Sequence, residues 1–326
     1  MTGRNLLEVR DLVQSFEQPV TFLEKLFGRQ RRIVHAVNGV SFHVRPGEVF
    51  SLVGESGCGK STTARTIVRL LSPQSGTILF DGEDIGNADV KALIPLRRKI
   101  QMVFQNPYAS LDPRQRVGEI IMEPLLFHGI AGSKAEARER MLRLMDTIGL
   151  HRDQADRYPH QFSGGQRQRI GIARALATDP MMIVADEPVS ALDVSIQAQI
   201  LNLMMDLREE FGLSYLFIAH DLSVVRHVTD RVAIMYLGFI VEQGSGDDVF
   251  EHPLHPYTAA LLDAAPSIDK TDIHAPLAGD VPSPIDLPHG CPFASRCVKH
   301  QPICDMERPL LRRSGTREVA CHFAEL

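Results

Sequence analysis

The chain has 326 residues, of which 44% are hydrophobic, and this is enough to build one large or two smaller globular domains. Its longest apolar runs cover only a few residues, far fewer than the roughly 20 that cross a bilayer, so we expect no membrane span. The net charge of −5 comes without a long basic block, which argues against nucleic-acid binding. No secretory signal is apparent at the N-terminus, and we expect a cytoplasmic protein.

The order of apolar runs predicts the fold class. Up to about Gly244, short apolar runs resembling buried strands alternate with helical patterns, which is typical of an α/β fold with a largely parallel sheet. The clearest such runs are Val49–Val53, Met181–Ala185 and Tyr215–Ala219. Residues Ser133–Ile148 lie between the first of these runs and the other two, and they have the pattern of an exposed amphipathic helix. This pattern indicates a helical insertion.

The composition changes near Ser245. Prolines become frequent there, and four of the five cysteines lie beyond it. Such a change marks a separate segment. The sequence therefore predicts a catalytic domain over residues 1–244 and a C-terminal extension over residues 245–326.

Residues 54–61 carry the strongest local motif. They read Gly-Glu-Ser-Gly-Cys-Gly-Lys-Ser and follow the apolar run Val49–Val53, so strand, glycine-rich turn and helix succeed one another. Glycines let backbone N–H groups close around phosphate oxygens, and a helix N-terminus favours negative charge there. Lys60 is expected to pair with the β- and γ-phosphates of ATP, and Ser61 to bind Mg²⁺. The predicted nucleotide-binding residues of this motif are Gly54, Ser56, Gly57, Cys58, Gly59, Lys60, Ser61 and Thr62.

A second apolar run ends in two acids. Met181–Ala185 is followed by Asp186 and Glu187, as expected for carboxylates at the end of a parallel strand. Asp186 is expected to hold Mg²⁺ through water, and Glu187 to polarise the water that attacks the γ-phosphate. Taken alone, the pair is equally compatible with a strand that simply meets solvent.

The segment beginning at Phe162 decides between these alternatives. It reads Phe-Ser-Gly-Gly-Gln and resembles the signature motif of ABC ATPases, a Ser-Gly-Gly turn at a helix N-terminus. In that family the turn caps the γ-phosphate bound by the opposite subunit. The resemblance implies that Ser163, Gly164, Gly165, Gln166 and Asp193 contact nucleotide in trans.

The remaining family motifs occur in the family's order. Gln105 resembles the Q-loop glutamine, a further Mg²⁺ ligand and catalytic residue, and Ser190–Asp193 resembles the D-loop. His220 resembles the switch histidine and joins the catalytic set. Phe16 stands where the family has an aromatic that stacks on adenine, although residues Gln18–Arg32 separate it from the next strand and a core role is a rival. The resemblance implies a RecA-like P-loop core with an antiparallel β portion and a helical subdomain over residues 106–178.

Longer sequence segments indicate one branch of the family. The segments starting at Gln105, Tyr158 and His255 resemble ATPase subunits of bacterial oligopeptide and dipeptide importers over essentially the whole chain. Gln166, after Ser-Gly-Gly, resembles the F-type subunit of the pair that such importers use. The resemblance implies a second homologous ATPase, two membrane permeases, an extracytoplasmic binding protein and no nucleic acid, with the chain bound at the cytoplasmic face of the membrane.

The cysteines of the extension call for a separate explanation. Cys291, Cys297, Cys304 and Cys321 are separated by 5, 6 and 16 residues in a Pro-rich segment with few apolar residues. Disulfides are uncommon in the cytoplasm, so metal ligation is favoured, and four thiolates suit an iron–sulfur cluster. Similar extensions in peptide-importer ATPases imply a [4Fe–4S] cluster. Zinc with help from His289, His300 or His322, or no metal at all, stays open.

Three functional alternatives also stay open. The transported solute could be a nickel complex or another small molecule, because the sequence of an ATPase subunit does not specify it. A soluble ABC ATPase of DNA repair or translation would share the motifs, but it usually has a coiled-coil insertion or tandem cassettes. A regulatory module that binds ATP without hydrolysis is disfavoured by the presence of Glu187 and His220.

Overall fold

The computed structural model describes residues 4–18, 32–264 and 279–324. Its strands are β1 (Leu7–Glu17), β2 (Ile33–Val44), β3 (Val49–Val53), β4 (Ser75–Phe80), β5 (Glu83–Asp84), β6 (Ile100–Val103), β7 (Met182–Asp186), β8 (Ser214–Ala219), β9 (Arg231–Tyr236), β10 (Phe239–Ser245), β11 (Arg312–Ser314) and β12 (Arg317–Val319). Most of the segment Gln18–Arg32, which separates Phe16 from the next strand, lies outside the described residues.

The described helices are α1 (Lys60–Ile67), α2 (Val90–Lys99), α3 (Pro107–Ser110), α4 (Val117–Phe127), α5 (Lys134–Thr147), α6 (Gly164–Leu176), α7 (Val194–Phe211), α8 (Leu222–Arg226), α9 (Gly246–Glu251), α10 (Pro256–Ala264) and α11 (Ile303–Met306). Short 3-10 turns occupy Arg152–Asp156, Pro159–Gln161 and Ala294–Arg296. Within the described ranges, no helix combines the length and apolarity needed to cross a bilayer.

The chain folds into two compact units. The first consists mainly of residues 88–218, and the second of residues 5–44, 49–87 and 219–326. Along the chain, the first unit therefore separates two parts of the second unit. The extension after residue 244 belongs to the same unit as the glycine-rich loop at residues 54–59.

The first unit contains three parallel strands in the order β8-β7-β6. Every residue of β7 and of β8 is buried, which explains why both read as continuous apolar runs rather than alternating ones. The runs predicted at Met181–Ala185 and Tyr215–Ala219 are thus strands, although β7 is shifted by one residue and β8 begins one residue earlier. Their carboxyl ends carry Asp186 and His220.

The helices of the first unit have their own apolar core. Side chains of α4, α5 and α6 are its main contributors, with Val117, Ile121, Met141, Met145 and Ile170 fully buried. Helix α5 begins after Ser133, whose Oγ accepts a hydrogen bond from Glu136 N at 3.2 Å. This helix is the amphipathic helix expected at residues 133–148.

The second unit contains the predicted antiparallel β portion. Strands β1, β2, β4 and β5 form an antiparallel sheet in the order β2-β1-β4-β5. Its remaining strands follow the order β11-β12-β10-β9-β3, in which β3 runs parallel to β9. These observations confirm the α/β class.

The C-terminal extension is ordered by packing on the rest of its unit. Phe293 is 1% exposed, and its ring centroid lies 5.3 Å from those of both Tyr236 and Tyr257. Strand β12 pairs with β10, so the chain end extends an existing sheet. The sequence predicted that this segment has too few apolar residues for a core of its own. The structure agrees with that prediction, because the extension shares a core with the neighbouring parts of its unit.

Candidate nucleotide site

The glycine-rich loop requires glycine at two close backbone approaches. A Cβ at Gly54 would lie 2.1 Å from the Met235 carbonyl oxygen, and one at Gly59 would lie 2.0 Å from that of Ala36. Gly59 also has φ +108°, which L side chains rarely adopt. The loop joins the fully buried β3 to α1, which begins at Lys60. This is the strand–loop–helix order that the sequence predicted.

Lys60 lies inside this loop and is 4% exposed. Its Nζ donates hydrogen bonds to the carbonyl oxygens of Gly54 at 2.7 Å and Glu55 at 2.9 Å. The Sγ of Cys58 lies 3.7 Å from the same ammonium, yet burial raises the pKa of that thiol despite the nearby charge. Ser61 and Thr62 are partly exposed at the start of α1. The loop thus holds a cation at its centre beside accessible hydroxyls, the combination that binds a phosphate chain.

One partner of this loop was missed by sequence reasoning. Arg296 forms a two-point ion pair with Glu55, with Nη1 2.7 Å from Oε2 and Nη2 3.1 Å from Oε1. The Glu55 hydrogen bonds raise the pKa of the guanidinium further above its ordinary value. The two residues are 241 positions apart in sequence, and no local pattern could have indicated their contact.

In the first unit, the predicted base and the Q-loop glutamine are in direct contact. Gln105 Nε2 donates a hydrogen bond to Glu187 Oε2 at 2.8 Å. Glu187 has φ +46°, an uncommon conformation for this residue type, and its N–H donates to Ile218 O at 3.0 Å. Asp186 precedes it at the end of β7 and is 1% exposed. The sharp turn after Asp186 therefore separates the directions of two successive carboxylates.

The D-loop begins on the same turn. The N–H of Ser190 lies 3.3 Å from the Glu187 carbonyl oxygen, and its Oγ donates to that oxygen at 3.1 Å. Asp193 is the N-cap residue of α7 and accepts backbone hydrogen bonds from the first turn of that helix. The D-loop is thus fixed at both ends, by Glu187 and by α7.

The signature turn forms the N-terminus of α6. Ser163 Oγ accepts from Gln166 N at 3.3 Å, while Gln166 Oε1 accepts from Ser163 N at 3.0 Å, a reciprocal capping box. A Cβ at Gly165 would lie 2.4 Å from Cγ2 of Ile196 in α7, so only glycine fits there. Gly164 and the exposed Ser163 lie at the tip of the turn. The structure therefore brings the signature and the start of α7 together within the first unit.

The other predicted residues lie in the second unit. His220 is exposed immediately after β8, and Phe16 lies on β1 with 38% of its surface exposed. Phe16 is therefore partly exposed, and its role in stacking on adenine stays a prediction. Its partner in the strand pair is Val34 of β2.

The four cysteines of the extension lie near one another without forming a ligand set. Cys291, Cys304 and Cys321 are buried and Cys297 is partly buried, and none of the five cysteines forms a disulfide. Burial, together with the other three thiols, raises the pKa of Cys291 to about 11. Among the described residues, no group of three or more His, Cys, Asp or Glu could hold a metal ion.

The histidines considered for zinc are placed elsewhere. His300 Nε2 lies 2.9 Å from Asp305 Oδ2, and His322 Nε2 lies 2.9 Å from the carbonyl oxygen of Glu307. Within the described part of the chain, the structure thus gives no support to the iron–sulfur or the zinc prediction.

Comparisons with known proteins agree with the site's geometry. A family model described as ABC transporter matches residues 37–190, which include the glycine-rich loop, Gln105 and the signature turn. A second, described as the C-terminal region of oligopeptide/dipeptide transporters, matches residues 241–304. The two models thus cover the glycine-rich loop, Gln105, the signature turn and Glu187, together with most of the extension, whereas His220 lies between them.

Curated relatives match over nearly the full chain. The oligopeptide transport ATP-binding protein AppF of Bacillus subtilis (strain 168) is 50% identical over 99% of this chain and 99% of its own. The dipeptide transport ATP-binding protein DppF of Escherichia coli (strain K12) is 51% identical over 89% of this chain and 87% of its own. A solved post-hydrolysis dimer of the ATP-binding cassette MJ0796, bound to ADP and Pi, has a TM-score of 0.64 at 31% identity, covering 73% of this chain and 98% of that one. On this evidence, the chain belongs to the ATP-binding proteins of the ABC transporter family, in the branch with the oligopeptide/dipeptide transporter C-terminal region.

Proposed function

We propose that this chain is the ATP-hydrolysing subunit of an ABC importer that takes up oligopeptides or dipeptides. The observation that carries the proposal is the hydrogen bond between Gln105 and Glu187, within a chain about half identical to peptide-transport ATP-binding proteins. A module that only binds ATP would not need a carboxylate in a strained turn with an amide donor aimed at it. The Lys60 loop supplies the matching phosphate site.

In the proposed reaction, Glu187 accepts a proton from the attacking water, and Gln105 orients the carboxylate. His220 contacts the γ-phosphate, and Phe16 stacks on the adenine. The proposed Mg²⁺ donors are Ser61, Gln105 and Asp186, whose hydroxyl, amide and carboxylate oxygens suit that ion. Mg²⁺ would neutralise charge on the phosphates when bound.

The signature turn serves a second subunit in this proposal. The exposed Ser163 and the N–H groups that follow it would meet the γ-phosphate held by the partner, as Gln166 and Asp193 complete the contact. ATP then closes two ATPase subunits, because γ-phosphate contacts exist only in the closed state, and hydrolysis reopens them. We propose a heterodimer in which this chain is the F-type member.

In this function the chain works together with membrane proteins. It acts at the cytoplasmic face of the membrane, bound to two permeases that receive solute from an extracytoplasmic binding protein. Its nucleotide-binding domain spans residues 1–244, with the helical subdomain over 106–178, and the extension spans 245–326. The family match over residues 241–304 supports a distinct role for that last segment.

The test is transport by the assembled complex. The chain, its partner ATPase, the permeases and the binding protein are reconstituted in vesicles, and ATP hydrolysis is measured with a panel of di- and oligopeptides and with a nickel complex. Peptide-stimulated hydrolysis and peptide uptake support the proposal. Stimulation by the nickel complex alone would assign another solute, and hydrolysis without any dependence on permeases would contradict a transport function.

The metal centre predicted in the extension stays a prediction. Its predicted contents are nevertheless measurable in anaerobically purified chain: about four irons per chain for a [4Fe–4S] cluster, or stoichiometric zinc. Absence of both would agree with the unassembled thiols described above.

A further inference from the structure

Glu55, the first variable residue of the phosphate-binding loop, is held by three different groups. Its carbonyl oxygen accepts from Lys60 Nζ at 2.9 Å, and its N–H donates to Tyr257 Oη at 2.9 Å. Its carboxylate is bound at both oxygens by Arg296. Two of these three partners, Tyr257 and Arg296, come from the C-terminal extension rather than from the catalytic motifs.

Arg296 is itself firmly placed. Its side chain is only 4% exposed, whereas that of Glu55 is 27% exposed. The guanidinium carbon lies 5.8 Å from the ring centroid of Tyr236, within reach of a cation–π interaction. Arg296 ends the 3-10 turn that follows the fully buried Phe293, so the aromatic cluster of Phe293, Tyr236 and Tyr257 fixes the turn from which the guanidinium extends.

These contacts differ in what ATP would do to them. Lys60 must exchange the carbonyl oxygens of Gly54 and Glu55 for phosphate oxygens when nucleotide binds, which releases one hold on Glu55. The Tyr257 and Arg296 contacts use the N–H and the carboxylate of Glu55, and neither contact involves Lys60. During this exchange, Glu55 would therefore be held in place by Tyr257 and Arg296 of the extension, and these contacts would preserve the conformation of the loop.

We propose that Arg296 is a positioning residue for ATP binding, through which the C-terminal extension holds the phosphate-binding loop in its nucleotide-ready conformation. The inference rests on the proposed ATP-binding role of the Lys60 loop. Because Glu55 neutralises the guanidinium, Arg296 acts by geometry and not by attracting phosphate. A loop whose conformation is fixed in advance loses less conformational freedom on binding, and this preserves affinity.

The experiment measures ATP and ADP binding to the purified full-length chain by calorimetry, with Mg²⁺ present. Arg296→Ala should weaken ATP binding by about tenfold, the loss expected when a charge-assisted pair no longer orders its partner. Arg296→Lys should recover only part of this loss, because an ammonium cannot reproduce the two-point contact. In the assembled transporter, the KM for ATP should rise while kcat changes little.

Arg308→Ala is the matched control. Arg308 also belongs to the extension, donating to the Pro288 carbonyl oxygen at 2.9 Å and lying over the Phe239 ring at 4.4 Å, and both of these contacts lie outside the loop. Its loss should lower thermal stability at least as much as that of Arg296 while leaving ATP affinity intact. Equal loss of affinity in both variants would mean that the extension acts only through overall stability, and this would overturn the proposal.

A double-mutant cycle gives a second test that does not depend on one variant. Glu55→Gln should weaken ATP binding by about as much as Arg296→Ala, and the double variant should be no worse than either, because one interaction is removed in all three. Additive losses, or wild-type affinity in Arg296→Ala, would overturn the role of the pair. Failure of the wild-type chain itself to bind ATP would instead contradict the proposed function.

Discussion

Gln105 and Glu187 are joined by a 2.8 Å hydrogen bond from amide Nε2 to carboxylate Oε2. The amide follows β6 and the carboxylate follows the adjacent strand β7, so parallel pairing sets their separation. The hydrogen bond holds this carboxylate oxygen in a fixed position beside the amide. Any movement of the segment carrying Gln105 would therefore be transmitted directly to the predicted base.

Glu187→Gln should keep ATP binding and stop turnover. The substitution removes the proton acceptor but leaves Lys60 and Ser61 in place, so hydrolysis should fall by at least about 100-fold. Phosphate release by the complex is measured with the partner's site also inactivated, since that site could mask the loss. Glu209→Gln, an exposed carboxylate on α7, is the control and should behave as wild type. Wild-type turnover by Glu187→Gln would remove this residue from the proposed mechanism.

Ser163→Arg should prevent ATP-driven association with the partner subunit while leaving this chain's own ATP affinity nearly unchanged. The bulky side chain would occupy the tip of the signature turn, where the opposing γ-phosphate is expected. Association is followed by size-exclusion chromatography, and affinity by titration of the isolated chain. Ser133→Arg is the matched control, because it also removes a helix N-cap, worth about 1 kcal/mol, in the same unit. Loss of affinity in the isolated chain would indicate that the turn acts in cis.

Gly165→Ala should destabilise the chain by about 1–3 kcal/mol, because the new Cβ would overlap the Ile196 side chain across the interface between α6 and α7. Gly171→Ala, in the same helix, introduces a methyl group with no neighbour within 4 Å and should be neutral or stabilising by up to about 1 kcal/mol. Urea unfolding of both variants measures the difference. Equal effects would mean that the contact with Ile196 does not determine the need for glycine.

His255 should make the chain sensitive to acid. Complete burial lowers its pKa to about 3, although a hydrogen bond with the Ala320 backbone opposes the shift. The unfolded chain protonates this residue near its ordinary value of about 6.5, so the folded state loses stability as the pH falls from there towards 3, by about 1.4 kcal/mol per pH unit. His255→Gln should remove this slope in urea unfolding measured at several pH values. His151→Gln, an exposed histidine, serves as control, and an unchanged slope in His255→Gln would contradict the assignment.

Much of the fold could be predicted because the apolar runs and helical patterns are formed by residues that are close together in the sequence. A buried parallel strand must be apolar along its length, so β3, β7 and β8 could be found from the sequence. Helix α5 was likewise visible as an amphipathic pattern over residues 133–148. The Q-loop, signature and switch residues came from resemblance to a family and not from such patterns.

Two features of the site could not be predicted from local patterns. The left-handed conformation of Glu187 arises from the turn that its tertiary contacts impose, and its residue type gives no indication of it. The pair of Arg296 and Glu55 depends on how the extension folds back onto its own unit. Composition suggested that the extension required a metal to become ordered, whereas Phe293 and strand β12 provide the packing and pairing that order it.

The pairing of β12 with β10 also bears on how the chain tolerates shortening. Ala320 N donates to Val241 O at 2.8 Å, and Val319 lies opposite Glu242, so the last ordered strand covers the hydrogen-bonding edge of β10. The strand beyond it, β11, is three residues long and presents the exposed Arg312 and Arg313, which discourage further strand addition. A chain that ends before residue 312 would leave the mostly buried β10 as an open edge and should self-associate through it.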